Sequence, residues 1–274
     1  MTVISPPHTV GGLLRDWRQR RRMSQLDLSV EADVSTRHLS FVETGRSKPS
    51  RELVLHLAEH LEVPLRDRNA LLLAAGYAPG YHESSLDAPE MAPVRDALDK
   101  ILASQHPFPA VVVDHRWDLV AGNRAAFGIL AEGVAPELLA PPVNAMRVSL
   151  HPDGLAPRIV NLAEYSAHLM HRLRRQLATT ADRDLVELID ELRQYPGVVD
   201  DLTATPAAAA MLFVPLVLQS GNGATLTFFS TLATFGTALD VTMAELAIES
   251  FFPADEQTAA VLRATWADDN DGTV

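Results

Sequence analysis

The sequence predicts two domains, a small all-α head of five helices and a larger α+β domain. Three observations carry this. Residues 10–77 place apolar side chains at helical spacing between serine caps and glycine stops. Beyond residue 109, β-branched and aromatic runs stand between turn residues. The charge divides with them: residues 1–51 hold nine Lys/Arg against five Asp/Glu, or +4, and the remainder holds 14 against 30, or −16. A basic head on an acidic body suits contact with a polyanion through one end only.

In the head, a first helix is expected over about residues 10–22, with Leu13, Leu14 and Trp17. Ser24 caps a short helix in which Leu28 and Ala32 stand four apart. Asp33 tolerates the left-handed backbone of a sharp turn, and Ser35 caps the next helix. There Leu39 and Val42 fall on an inward face, Thr36, Arg37, Ser40 and Phe41 fall on the other, and Gly45 ends the run. Ser50 caps a fourth helix carrying Leu53, Leu57 and Leu61, and a fifth spans about Arg66–Ala75 before Gly76 and Pro79. Two short helices joined by a tight turn, the second opening on polar residues, present side chains to a DNA major groove.

The chemistry of that face agrees. Arg37 suits a bidentate contact to guanine O6/N7, Thr36 and Phe41 a thymine methyl, and His38 or Ser40 a base edge or phosphate. Arg46 and Lys48 follow, where they would meet the phosphate backbone. Each alone reads as a solvated helix face; as an ordered set they point to double-stranded DNA. Residues 10–77 resemble the lambda-repressor-like helix-turn-helix domain of the Cro/C1-type (XRE) repressors. The matching residues are Leu14, Arg18, Ser24-Gln25, Leu28, Val34-Ser35, Leu39, Glu43-Thr44-Gly45-Arg46, Pro49 and Leu57-Ala58. The resemblance implies that Gln25 bonds a phosphate, that Ser35 to His38 read bases, and that Arg18 and Glu43 tie the first helix to the recognition helix. Ser29 stands where that family usually has alanine and Asp33 where it has glycine. Some lost stability is expected there, with the fold intact.

Residues 78–93, with Pro79, Gly80, Pro89 and Pro93, read as a linker or strapped connection. A helix near Val94–Ser104 precedes strands at Ala110–Val113 and Trp117–Ala121, with a turn over 114–117 between them. Asn123 then caps a helix containing Phe127 and Leu130. Helices are expected at about Leu162–Ala178 and Asp182–Arg193, then strands at Leu212–Gln219, Ala224–Phe235 and Glu245–Phe252. Gly221-Asn222-Gly223 is a hairpin signal between the first two of these strands.

Residues 94–264 resemble the ligand-binding domain of MmyB-like transcription regulators, a PAS-like sensor. The carriers are Pro109-Ala110, Arg116-Trp117-Asp118, the segment Ala121 to Ala126, and Phe251-Phe252-Pro253-Ala254-Asp255. The expected bounds are 1–77 for the head, 78–93 for the connection, 94–268 for the sensor and 269–274 for a tail. The resemblance implies a cavity for an elongated apolar molecule such as a fatty acid. Trp117, Phe127, Met146, Leu169, Phe213, Phe228 and Phe229 are candidate lining, although an aromatic or Met in such runs is more often plain core. Arg147, His151, His168 or Arg172 are candidates to hold a carboxylate head, against a surface role for each.

With no cysteine, no disulfide, thiolate metal site or cysteine nucleophile is available, which suits a reducing cytoplasm. No secretory segment is visible, and the apolar run Pro206–Leu218 contains Pro215 and falls short of the ~20 residues of a membrane span. A cytoplasmic protein without a membrane partner is expected. His56 with His60 and His168 with His171 stand at chelating spacings but lack an H-E-x-x-H arrangement. No G-x-S-x-G elbow, phosphate loop or dinucleotide fingerprint occurs. No catalytic residue, metal or resident cofactor is therefore expected. Together these readings describe a homodimeric, sequence-specific DNA-binding regulator modulated by a small apolar ligand. The alternative is a constitutive DNA binder whose second domain only dimerises or recruits a partner.

Overall fold

The computed structural model describes residues 9–180, 182–201, 213–221 and 223–266. The head is built from α1 (Val10–Arg20), α2 (Gln25–Glu31), α3 (Thr36–Glu43), α4 (Arg51–His60) and α5 (Leu65–Ala74). Serine side chains start three of them: Ser24, Ser35 and Ser50 accept from the backbone N–H of Asp27, His38 and Leu53. At Ser24 the Asp27 carboxylate returns to the Ser24 N–H, closing a capping box. The turn between α2 and α3 runs through Asp33 at φ 51, a conformation that Asp tolerates where a branched residue would not. α1 stops at Arg20, short of the expected residue 22, because Arg22 also adopts a positive φ of 57.

Leu14, Trp17, Leu28, Leu39, Val42, Leu57, Leu61 and Leu72 form the core of this unit. α1 meets the end of α3 at Gly11, where a Cβ would lie 2.2 Å from the Val42 carbonyl oxygen. Only a glycine permits that approach. The unit extends to Ser84 and takes in Ala178–Thr180 and Ala238–Ala244. Asn69 straps the chain beyond α5, its Oδ1 accepting from the N–H of Gly80 and Tyr81 and its Nδ2 donating to the Tyr81 carbonyl.

The second unit contains α6 (Ala92–Gln105), β1 (Ala110–Val113), β2 (Leu119–Gly122), α7 (Arg124–Leu130), α8 (Ala145–Leu150), α9 (Leu162–Thr180, its last turn grouped with the first unit), α10 (Arg183–Leu192), β3 (Leu216–Gln219) and β4 (Thr225–Thr234). α11 (Val241–Ala244) belongs to the first unit, and β5 (Ala247–Pro253) and α12 (Glu256–Thr265) complete the second. The strands form an antiparallel sheet of order β2-β1-β5-β4-β3. Its period of two sorts the residues: Val112 and Ile248, paired in register, join the cluster with Leu98 and Leu102 of α6, whereas their neighbours Val111 and Glu249 serve the opposite face. That opposite face packs on α7, α8, α9 and α10 through Ile129, Leu150, Leu169, Leu173 and Leu188.

Several boundaries differ from the expectation. β2 begins at Leu119 and not Trp117, because Trp117 sits at φ 67 and closes the turn, its N–H donating to the Asp114 carbonyl. α8, α11 and α12 have no counterpart in the sequence reading. The expected start at Leu212, the hairpin residue Asn222, most of the run 206–218 and residues 267–274 lie outside the described residues.

Candidate functional site

On the head, Ser35, Thr36, Arg37 and His38 are exposed at the start of α3, and Ser40 and Phe41 are half-buried one turn on. The Phe41 ring gathers two cations, with the Arg37 guanidinium 5.4 Å and the Arg46 guanidinium 5.9 Å from its centroid. Lys48 Nζ lies 5.2 Å from the Tyr77 ring. The Thr36 hydroxyl is shared with the buried Ser29 hydroxyl at 2.8 Å, so the serine that replaces the usual alanine is satisfied and ties the base of α3 to α2.

A buried ion pair sets the pose of α3. Arg18 donates from Nε and Nη2 to the two Glu43 carboxylate oxygens at 2.7 and 2.9 Å, and from Nη1 to the Met23 carbonyl at 2.8 Å. Gln25 Nε2 adds a 2.8 Å bond to Glu43 Oε2, so one of its two amide N–H donors is spent inside the head. Burial pushes the Glu43 carboxyl up, but the hydrogen bonds from Arg18 and Gln25 and the charges of Arg18 and Arg15 outweigh it and hold it below the usual range.

The second unit encloses a cavity of about 240 Å³ under the sheet. Val111, Leu119, Phe251 and Leu216 line it from the strands, Phe127 and Leu130 from α7, Met146, Val148 and Ser149 from α8, and Tyr165 and Leu169 from α9. Trp117 closes one side, its Nε1 donating to Gln176 Oε1 at 2.8 Å. Glu249, only 6% exposed, is the one charged residue of the lining among the described residues. Its Oε1 accepts from Arg172 Nη1 and Nη2 at 3.0 Å and from Ser230 Oγ at 2.9 Å. Among the described residues, no three His, Cys, Asp or Glu side chains group to hold a metal ion.

The family model for the MmyB-like transcription regulator ligand binding domain matches residues 94–264, more than half of the chain. The chain belongs to this family. A helix-turn-helix domain model matches residues 9–71, so the chain joins a helix-turn-helix head to an MmyB-like ligand-binding domain. No curated protein matches it. A solved structure described as an RNA-binding light-oxygen-voltage receptor aligns with 96% of this chain at 12% identity and a TM-score of 0.29, and the chain spans 64% of that protein's length.

Of the sequence candidates in the MmyB-like domain, Trp117, Phe127, Met146 and Leu169 line the cavity. The other aromatics lie elsewhere. Phe228 is fully buried in the core against Phe251, and Phe229, its neighbour on β4, necessarily faces the other way, where it stacks on Phe252 at 5.3 Å and meets Phe213 at 5.8 Å. The polar candidates are also outside the lining. Arg147 forks onto Glu191 of α10 at 2.8 to 3.1 Å, and His151 packs edge-on against Tyr195. His168 is partly buried, and burial and then the Arg172 charge push its pKa down. Arg172 stands behind the wall, 4.8 Å from the Trp117 ring centroid and paired with Glu249. Sequence reasoning missed Tyr165 and Glu249. A lone carboxylate inside the apolar strand Ala247–Pro253 was the available signal for the second.

Proposed function

We propose that this regulator binds a near-palindromic operator as a homodimer and that a small, largely apolar molecule with a fatty-acid-like chain modulates that binding. Ser35, Thr36, Arg37, His38, Ser40 and Phe41 read bases, and Gln25, Arg46 and Lys48 position the head on phosphates. Two recognition helices would enter successive major grooves about 34 Å apart. The second domain is read as PAS-like, from its five-strand antiparallel sheet with α7 to α10 laid over the cavity face. The reading has the protein working in the cytoplasm.

The observation that carries this is a largely apolar cavity with a buried carboxylate in its wall, in the same chain as an exposed helix-turn-helix face. The test begins with selection of bound duplexes from a random pool. Operator affinity is then compared for protein as purified and after organic delipidation, with mass spectrometry of the extract. An apolar molecule in the extract and a shifted operator affinity are expected. An unchanged affinity would leave a constitutive DNA binder.

A further inference from the structure

The cavity is lined mostly by apolar side chains but carries unspent hydrogen-bonding capacity where Glu249 and Tyr165 line it. Glu249 concentrates its partners on one oxygen: both Arg172 donors and the Ser230 hydroxyl reach Oε1, and Oε2 makes no hydrogen bond among the described residues. Ser230 reaches it diagonally across the ladder, since Ser230 pairs with Phe251 and Leu232 with Glu249. Tyr165 lines the same cavity, is 6% exposed, and its hydroxyl makes no hydrogen bond among the described residues. Burial, and then the nearby charge of Glu249, push that phenol up, so it remains a donor at neutral pH. Both residues line the cavity, so this acceptor and this donor are free to bond a molecule held there.

The geometry points to a ligand whose apolar chain fills the cavity and whose head group is neutral and donates a hydrogen bond, most simply an alcohol, held at the Glu249 and Tyr165 end. This rests on the ligand reading above and sharpens it. A hydroxyl both donates to Glu249 Oε2 and accepts from Tyr165, so it satisfies both groups. A carboxylate offers acceptors only, leaves Oε2 without a donor, and meets the charge of Glu249. Arg172 does not offset this, because it lies outside the lining: its Nη donors serve Glu249, and its unpartnered Nε is buried away from the cavity.

The test uses the full chain after delipidation, titrated calorimetrically at about pH 8 with decanol, methyl decanoate and decanoate, where the acid is ionised. Decanol is expected to bind about tenfold or more tightly than decanoate, with the neutral, acceptor-only ester between them. Glu249→Gln leaves Arg172 without its counter-ion, so decanoate should gain about tenfold and the preference should invert. Should that variant fail to fold, Tyr165→Phe is the second: decanol weakens severalfold and decanoate is not rescued. Decanoate binding as tightly as decanol to the unaltered chain, or decanol binding untouched by Tyr165→Phe, would overturn the head-group assignment and leave the ligand reading in place. Binding of none of the three probes would remove both.

Discussion

Among the described residues, two arginine–glutamate pairs have a buried carboxylate, and they are finished differently. In the head, both Glu43 oxygens are engaged by Arg18 and Gln25, and the third arginine donor group reaches the Met23 carbonyl. In the second domain, Arg172 and Ser230 crowd onto one Glu249 oxygen, and among the described residues neither the other oxygen nor the buried Arg172 Nε has a hydrogen-bond partner. The first pair is sealed between helices; the second borders a cavity. A buried charge pair whose capacity is used up acts as a clamp, whereas one with capacity left beside a cavity is built for a ligand. Desolvation is costly in both. Only in the second can a ligand offset part of it.

The largest expected effect tests the clamp. Glu43→Ala strands the Arg18 guanidinium and should cost about 3–5 kcal/mol in urea denaturation followed by circular dichroism. Glu249→Gln should cost clearly less, since Arg172 is the less buried arginine, at 18% side-chain exposure against 9% for Arg18. Equal losses would erase the distinction between the two pairs. Next, Gly11→Ala drives a methyl into the Val42 carbonyl and should cost about 1–3 kcal/mol. Because α1 carries Arg18 and α3 carries Glu43, this change should also weaken operator binding, read by fluorescence anisotropy.

Binding effects come after these. Arg37→Ala should relax preference at a single operator position by about 1–3 kcal/mol, while Lys48→Ala should weaken all duplexes alike and lower the salt slope by about one. Similar losses without a change in preference would remove Arg37 from the reading set. The smallest effect is a slope with pH. Glu43 titrates lower in the folded head than in the unfolded chain, so its contribution is present above the unfolded glutamate value of about 4.3 and is lost as pH falls through the lower folded value. Glu43→Gln should flatten that acid limb in a denaturation series, and an unchanged limb would assign it to other carboxylates.

How far the sequence could be read follows the same division. The head is written in local signals: Ser24, Ser35 and Ser50 stand where their oxygens cap, and Asp33 and Gly45 stand where φ turns positive. Arg18 and Glu43, 25 positions apart, became readable as a pair only through a family resemblance. In the second domain the strands were legible from β-branched runs, but the cavity wall was not. It draws on β1, α7, α8, α9, β3 and β5, so no window of sequence contains it. Phe228 and Phe229 illustrate the limit: adjacent strand residues cannot line one cavity, and the period of two that rules this out also keeps Glu249 with Val111 on the cavity side. Trp117 stands at the overlap of the expected turn over 114–117 and the expected strand from 117, and its positive φ places it in the turn.

The most direct measurement is reciprocal linkage in the full-length protein: decanol titrated calorimetrically with and without a saturating duplex selected by the protein itself. Because the two sites must change each other's affinity by the same factor, the decanol Kd is expected to differ between the two titrations by the factor by which decanol shifts duplex affinity. A decanol Kd that is identical with and without duplex would contradict the coupling of cavity to DNA.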